Sequence, residues 1–318
     1  MCAFRCGAGT LPIRSAFSAW ASSLPVTNIG RTLDEPERDS ADTLPSRPSV
    51  ANVSEVPTIE TDIVLNPVDI GAAALVDAAR TADDAGFAGV WTYDHLSGAV
   101  LRGGRALDVW SMLAAMATAT ERVTLGPLVA NATVRHPAQI NAPVAALQEL
   151  SGGRARLGLG AGAGPGSPFS RELTLLGLDV HRAGARRRMV VDTIAYLREL
   201  WSGRTEGVLV PHPAPAILVG ANGPKMAALA GEHADGLNVH DFTPDLPVLL
   251  KIAREAALAA GNDSFALTVE GPFTDAWSDP ESDERGELAG LGVSRVILRW
   301  SADLGIAAIA RAGRRFSP

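Results

Sequence analysis

Residues 89–96 read Gly89-Val90-Trp91-Thr92-Tyr93-Asp94-His95-Leu96, and residues 156–162 read Arg156-Leu157-Gly158-Leu159-Gly160-Ala161-Gly162. The stretch between these two motifs decides the fold, because it reads strand, loop, helix, strand, loop, helix, strand. Each of its three short apolar strands ends in a polar or glycine-rich loop. Loops at the carboxyl ends of strands carry the active site in an α/β barrel, so these loops are the first candidates for one.

The same alternation continues on both sides of this stretch. Eight apolar strands alternate with helical segments over residues 59–311, and we predict the strands at residues 59–65, 89–92, 123–129, 155–160, 217–220, 236–239, 265–273 and 295–298. The helices between them are predicted at residues 69–85, 106–120 (introduced by Asp108), 137–150 (opened by Pro137), 183–201, 223–234, 245–260, 280–291 and 302–311. Such repetition is typical of an α/β protein with a parallel (β/α)8 TIM barrel. A doubly wound open sheet is the alternative, but no Gly-x-Gly-x-x-Gly motif follows the first strand, which disfavours a dinucleotide-binding sheet.

Composition indicates a soluble globular protein. The 318 residues are 47% hydrophobic and 20% charged, with a net charge of −7, which argues against a nucleic-acid or anionic-membrane partner. No apolar run approaches the roughly 20 residues that span a bilayer. The two cysteines, Cys2 and Cys6, leave the core without a disulfide, which suits a cytoplasmic location.

The first 57 residues differ from the rest of the chain. They are rich in Pro, Ser and charged residues and show no sustained periodicity, so we predict a poorly ordered extension at 1–57 and a barrel domain at 58–318. A secretory signal is the alternative, but Pro12 and Arg14 interrupt its apolar run. We expect the barrel to fold without the extension.

Asp94 and His95 follow the second predicted strand and are the candidate catalytic residues. An imidazole beside a carboxylate at a barrel mouth can donate or accept a proton near neutral pH. The alternative is structural, with Asp94 capping the following loop and His95 filling a pocket.

Three other strand ends have features of a ligand site. Leu128, Val129 and Asn131 end the third strand, where small or apolar groups could let a flat ring lie on the backbone. The segment Gly220-Ala221-Asn222-Gly223-Pro224-Lys225 starts a helix, and the N–H groups and dipole of a helix N-terminus bind phosphate. Gly160 and Gly162 end the fourth strand. The structural alternatives are an ordinary strand end at residues 128–131, a plain turn at residues 220–225, and close backbone packing at Gly160 and Gly162.

Other chemistries lack their residues. The six histidines include no His-x-His pair and have no cysteine partners, so no metal site is predicted. The only lysines, Lys225 and Lys251, lie on predicted helices rather than at strand ends, which disfavours a Schiff-base aldolase. No serine nucleophile elbow is present.

Taken in order, the motifs resemble the bacterial luciferase-like flavin and deazaflavin oxidoreductases. The resemblance covers residues 59–311, and its motifs are Trp91-Thr92-Tyr93-Asp94-His95-Leu96, Val123-Thr124-Leu125-Gly126, Arg135-His136-Pro137-Ala138, the run from residue 152 to 162, and Leu218-Val219-Gly220-Ala221-Asn222-Gly223-Pro224-Lys225. It implies a TIM barrel that binds coenzyme F420, an 8-hydroxy-5-deazaflavin, or alternatively FMN.

The resemblance also implies roles for residues. In the deazaflavin branch the Asp-His pair lines the ring site, which would be Asp94 and His95 here. That branch has a non-prolyl cis bond in its third strand, at a position that corresponds to Leu128–Val129. The turn at Asn222-Gly223 corresponds to the phosphate grip.

Two departures from the family pattern bear on the substrate. The sugar-phosphate dehydrogenases of the family carry a glutamate near the position of Ala163. They also carry a tryptophan where this chain has Ser97-Gly98-Ala99. A glucose-6-phosphate substrate is therefore not expected.

The sequence thus predicts an F420-dependent oxidoreductase that transfers a hydride to or from a small organic substrate, with His95 in proton transfer and Asp94 positioning the ring or the imidazole. One alternative is an FMN-dependent monooxygenase that uses O2 and a partner flavin reductase; another is a barrel that binds the deazaflavin without turnover. Residues 161–179 and 239–242 are expected to shape the substrate pocket. Homodimers are common in the family.

Overall fold

The strands form a single parallel sheet that curls into a barrel. The computed structural model describes residues 59–316, so the predicted extension at residues 1–57 lies outside the described residues and the domain boundary at residue 58 stays a prediction. In the described part, the strands are β1 (Glu60–Leu65), β2 (Gly89–Thr92), β3 (Thr124–Pro127), β4 (Ala130–Asn131), β5 (Leu157–Gly160), β6 (Ile217–Gly220), β7 (Gly236–His240), β8 (Ala266–Pro272) and β9 (Arg295–Trp300).

The strand order confirms the (β/α)8 TIM barrel. It runs β3-β2-β1-β9-β8-β7-β6-β5-β4, and every strand pair is parallel. β3 and β4 are two halves of the predicted third strand, so the two ends of this order are consecutive in the chain. A parallel bridge from Leu125 in β3 to Ala155, just before β5, closes the barrel.

Helices cover the outside of the barrel. They are α1 (Ala72–Asp84), α2 (Val109–Ala119), α3 (Pro137–Leu150), α4 (Arg171–Leu175), α5 (Ala183–Trp201), α6 (Pro224–His233), α7 (Leu246–Ala259), α8 (Asp275–Ser278), α9 (Asp283–Gly290) and α10 (Ile306–Gly313). Several begin where the sequence predicts them. Asp108 caps α2 by accepting a 2.8 Å hydrogen bond from the Ser111 N–H, and Pro137 opens α3. None of the described helices is long and apolar enough to cross a membrane.

The structure departs from the predicted elements at three places. The third strand is interrupted at Leu128–Val129, where the peptide bond is cis. In place of the helix predicted at 280–291, α9 starts only at Asp283, where Ser282 supplies the cap. The short helix α8 precedes it and ends at Ser278, because Pro280 disfavours helical backbone at the residue before it. The long loop at 161–179 contains the short helix α4.

The inside of the barrel is polar at the amino ends of the strands and apolar in the middle. Asp62 is fully buried, accepts a 2.7 Å hydrogen bond from Trp91 Nε1 and forms an ion pair with Arg295. Burial raises the pKa of Asp62, and the nearby arginine opposes this shift. Beside the ion pair of Asp62 and Arg295, the inside of the barrel holds an apolar cluster of Val64, Trp91, Leu128, Leu218 and Ile297. Access for a ligand is therefore from the carboxyl ends of the strands.

Candidate active site

His95 lies just past β2, and its imidazole faces a carboxylate from the long loop. His95 Nδ1 is 3.1 Å from Glu172 Oε1. Glu172 Oε2 accepts hydrogen bonds from the backbone N–H groups of Leu96, at 2.9 Å, and Ser97, at 3.2 Å. Glu172 is buried on α4. Because an ionised carboxylate only accepts hydrogen bonds, this pairing places a proton on Nδ1 and leaves Nε2 for exchange with a ligand.

Asp94 has a different partner. It forms a bidentate ion pair with Arg135, in which Nη2 lies 2.7 Å from Oδ1 and Nη1 contacts Oδ2. Its Oδ2 also accepts a 3.1 Å hydrogen bond from the Asn131 N–H. These contacts tie the end of β2 to β4 and to the loop before α3. The carboxylate beside the imidazole is thus that of Glu172, and a role for Asp94 toward a bound ring stays a prediction.

Val129 is the centre of the glycine-rich part of the site. Leu128 points into the buried apolar cluster, whereas Val129 is half-buried and packs at its edge. A Cβ on Gly160 would lie 2.3 Å from Val129 Cγ2, and one on Gly220 would lie 3.3 Å from Cγ1. The two glycines therefore leave room for the valine side chain, whose exposed part gives the barrel mouth an apolar surface.

Asn131 and Gly162 meet beside this surface. Asn131 Oδ1 accepts hydrogen bonds from the backbone N–H and the hydroxyl of Thr133, at 2.9 and 2.8 Å. Gly162 has a left-handed φ of +59°, and a Cβ there would lie 2.6 Å from the Asn131 side chain. The Gly162 carbonyl accepts a hydrogen bond from Arg186, so α5 holds the start of the long loop.

The predicted phosphate site lies at the start of α6. Gly223 is the N-cap residue in extended conformation, with φ −177°, and no side chain caps the helix. Asn222 and Lys225 are exposed. Arg187, Arg188 and Lys225, together with Glu232, line a groove between α5 and α6. Uncapped N–H groups beside cationic side chains suit a phosphate, and the assignment of a phosphate to this turn stays a prediction.

A second polar cluster lies at the carboxyl ends of β7, β8 and β9. Glu270 is 1% exposed, and its Oε1 accepts a 2.9 Å hydrogen bond from the Tyr93 hydroxyl. Its Oε2 lies 3.3 Å from His240 Nδ1. Burial, followed by the charge of Glu270, raises the pKa of Tyr93 well above its usual value. Tyr93 thus stays protonated and spans the mouth from β2 to β8.

Sequence reasoning missed Glu172, Arg135 and Glu270. Glu270 carried a signal as a lone acidic residue in the otherwise uncharged strand segment 265–273, and Arg135 lies in one of the motifs of the resemblance, which gave it no role. Glu172 lies in a loop that has no periodicity to indicate where its side chain points. Within residues 59–316, no group of three His, Cys, Asp or Glu side chains is placed so that it could hold a metal ion.

The chain is similar in sequence to a known protein family and to characterised relatives. A model of the luciferase-like monooxygenase family matches residues 50–281. The chain is 30% identical over 219 residues to the F420-dependent hydroxymycolic acid dehydrogenase of Mycobacterium tuberculosis. The aligned segment covers 64% of this chain and 59% of that protein. It is 33% identical over 176 residues to the F420-dependent glucose-6-phosphate dehydrogenase of Microbacterium testaceum, covering 51% of each. The chain thus spans between half and three-fifths of the length of these relatives.

A solved structure with the same fold is that of an F420-dependent secondary alcohol dehydrogenase in complex with an F420-acetone adduct. It aligns with a TM-score of 0.67 and 17% identity, over 81% of this chain and 98% of that one. At this level of identity the likeness concerns the barrel fold.

Proposed function

The chain belongs to the luciferase-like monooxygenase family, and from this membership we propose that it is an oxidoreductase that binds coenzyme F420 and transfers a hydride between the deazaflavin and a small organic substrate. Two relatives with about 30% identity are named as F420-dependent dehydrogenases. The structural observation that carries the proposal is the half-exposed Val129 surface between Gly160 and Gly220, at the same barrel mouth as His95.

The residues present fit both the ring and the phosphate of the deazaflavin cofactor. Val129 offers an apolar surface for a flat ring, while Gly223 and the uncapped start of α6 offer N–H groups for a phosphate. Arg187 and Arg188 add positive charge in the adjoining groove. Neighbouring strand ends thus provide the two kinds of contact that such a cofactor needs.

When bound, the deazaflavin supplies the hydride chemistry, and the protein supplies orientation and proton transfer. Glu172 holds Nδ1 of His95, so His95 exchanges its proton with the ligand at Nε2. Asp94 and Arg135 fix the strand ends on which His95 and Asn131 sit. The histidine therefore needs little reorganisation when the ligand binds.

A fluorescence titration of the full-length protein with F420, and in parallel with FMN, tests this proposal. We expect saturable binding of F420 and much weaker binding of FMN. A preference for FMN would instead support the monooxygenase alternative, and oxygen uptake would then be measured. Binding of neither cofactor would refute the proposal.

Gly160→Ala is expected to weaken F420 binding by about tenfold or more, which corresponds to roughly 1.4 kcal/mol. The added Cβ would lie 2.3 Å from Val129 Cγ2, so the valine must move out of its present position. Gly184→Ala is the matched control, because Gly184 is exposed on α5 and its Cβ would meet nothing within 4 Å. Equal F420 affinities for the two variants would contradict the assigned role of the Val129 surface.

A further inference from the structure

Glu270 connects the side chains of Tyr93 and His240 across the barrel mouth. Its carboxylate lies between the Tyr93 hydroxyl, at 2.9 Å, and His240 Nδ1, at 3.3 Å. The ring of Tyr93 continues toward His95, with 6.3 Å between the ring centroids. The mouth therefore has two histidine–carboxylate pairs, His95 with Glu172 and His240 with Glu270, with Tyr93 between them.

His240 is placed so that one part of its ring is buried beside Glu270 and another is accessible. Nδ1 is buried against Glu270, although the two groups are not aligned as a hydrogen bond. The side chain as a whole is 32% exposed, so the exposed part belongs to the rest of the ring. Phe242 stacks on one face, with centroids 4.8 Å apart and an angle of 9° between the planes. A ligand in the mouth can therefore reach the edge that carries Nε2.

The other charged and titratable groups of this cluster are engaged with each other. Arg299 Nη1 lies 2.7 Å from Asp241 Oδ1 and 3.0 Å from the Glu270 carbonyl oxygen. The Tyr93 hydroxyl donates to Glu270, and the pKa of Tyr93 is raised by burial. His240 is thus the member of the cluster whose ring has an accessible edge that no other side chain of the cluster occupies.

We propose that His240 is the acid–base group for the substrate oxygen, and that Glu270 is the positioning residue that holds its imidazole. The inference rests on the proposed function. In the oxidative direction a substrate hydroxyl gives its proton to His240 Nε2, the hydride on the same carbon leaves for the deazaflavin, and a carbonyl forms. The reductive direction reverses each transfer. The substrate class is therefore an alcohol or the matching carbonyl compound.

A site with two histidine–carboxylate pairs suits this class. Interconversion of an alcohol and a carbonyl compound transfers a proton at the substrate oxygen as well as a hydride at carbon. His95 lies on the β2 side of Tyr93 and His240 on the β7 side, so the two histidines can serve different partners. Residues 239–242, which the sequence predicts to shape the substrate pocket, include His240 at the end of β7.

The test compares wild type, His240→Gln and Glu270→Gln in the full-length protein, with His212→Gln as control. His212 is exposed in the loop before β6, at the opposite end of the barrel. The probes are 2-propanol, cyclohexanol and 1-phenylethanol with F420, and their ketones with reduced F420. Deazaflavin absorbance reports turnover, fluorescence titration reports cofactor affinity, and 15N NMR reports which nitrogen of His240 carries the proton.

We expect wild type and His212→Gln to turn over at least one probe pair. His240→Gln should lower kcat by about 100-fold or more with unchanged F420 affinity. Glu270→Gln keeps an acceptor for Tyr93 but loses the charge, so it should lower kcat without changing KM. It should also reduce the fraction of His240 with the proton on Nδ1, which a merely structural role would not change.

Full kcat in His240→Gln would overturn the proposal. So would a wild-type protein that binds F420 but turns over none of the six probes, and this result would leave the proposed cofactor standing. An unchanged His240 proton distribution in Glu270→Gln would overturn the positioning role. Failure to bind F420 at all would overturn both proposals.

Discussion

Replacing His95 with alanine is expected to lower turnover by about 10²- to 10⁴-fold, the usual contribution of a general acid or base. The imidazole is oriented by Glu172 at 3.1 Å, so its loss removes a proton-transfer group that is already in place. Val129 and the start of α6, which are proposed to hold the ring and the phosphate, are not touched by this change. F420 affinity should therefore stay within about twofold of wild type, since the change acts on the proton-transfer step.

Steady-state kinetics with any substrate found for the wild type, together with the F420 titration, measure these two effects. His212→Gln is the control for changing a histidine elsewhere on the barrel. A His95→Ala protein with wild-type kcat would exclude the assigned role. A loss of F420 binding equal to the loss of turnover would instead make His95 a binding residue.

Asp94→Asn is expected to cost about 3–5 kcal/mol of unfolding free energy, because it leaves a largely buried guanidinium without its anion. The Asp94 side chain is 2% exposed and that of Arg135 is 14% exposed, so water cannot replace the lost partner. The Asn131 N–H would still find an oxygen acceptor in the amide. The expected loss therefore reports mainly the ion pair.

Urea unfolding of wild type and variant measures this cost. The exposed pair of Arg80 and Asp77, with side chains 54% and 57% exposed, supplies the control. Asp77→Asn should change stability by less than about 1 kcal/mol, since exposed pairs contribute little. Equal effects of the two substitutions would show that Asp94 and Arg135 are not a buried structural pair. Adding Arg135→Gln to Asp94→Asn should restore part of the lost stability, because no unpaired charge then remains.

Much of the fold could be predicted because its signals are local. Apolar runs of strand length, the helix caps and the prolines at helix starts lie within a few residues of the elements they define, as Asp108 and Pro137 show. β2, α3, α5 and β6 have the predicted bounds. The resemblance of the ordered motifs also placed the cis bond at Leu128–Val129 correctly. The candidate site residues at strand ends do lie at the mouth, since parallel strands share one carboxyl edge.

The sequence by itself therefore determined the barrel, the order of its strands and which strand ends face the mouth. Only the tertiary structure decided the partners there. Glu172 reaches His95 from 77 residues away, Arg135 reaches Asp94 from 41, and Glu270 reaches Tyr93 from 177. Likewise, Gly160 and Gly220 face the side chain of Val129. The physical reason is range: periodicity and capping act between near neighbours in the chain, whereas the pairing of buried charges depends on which side chains barrel closure brings within hydrogen-bond distance.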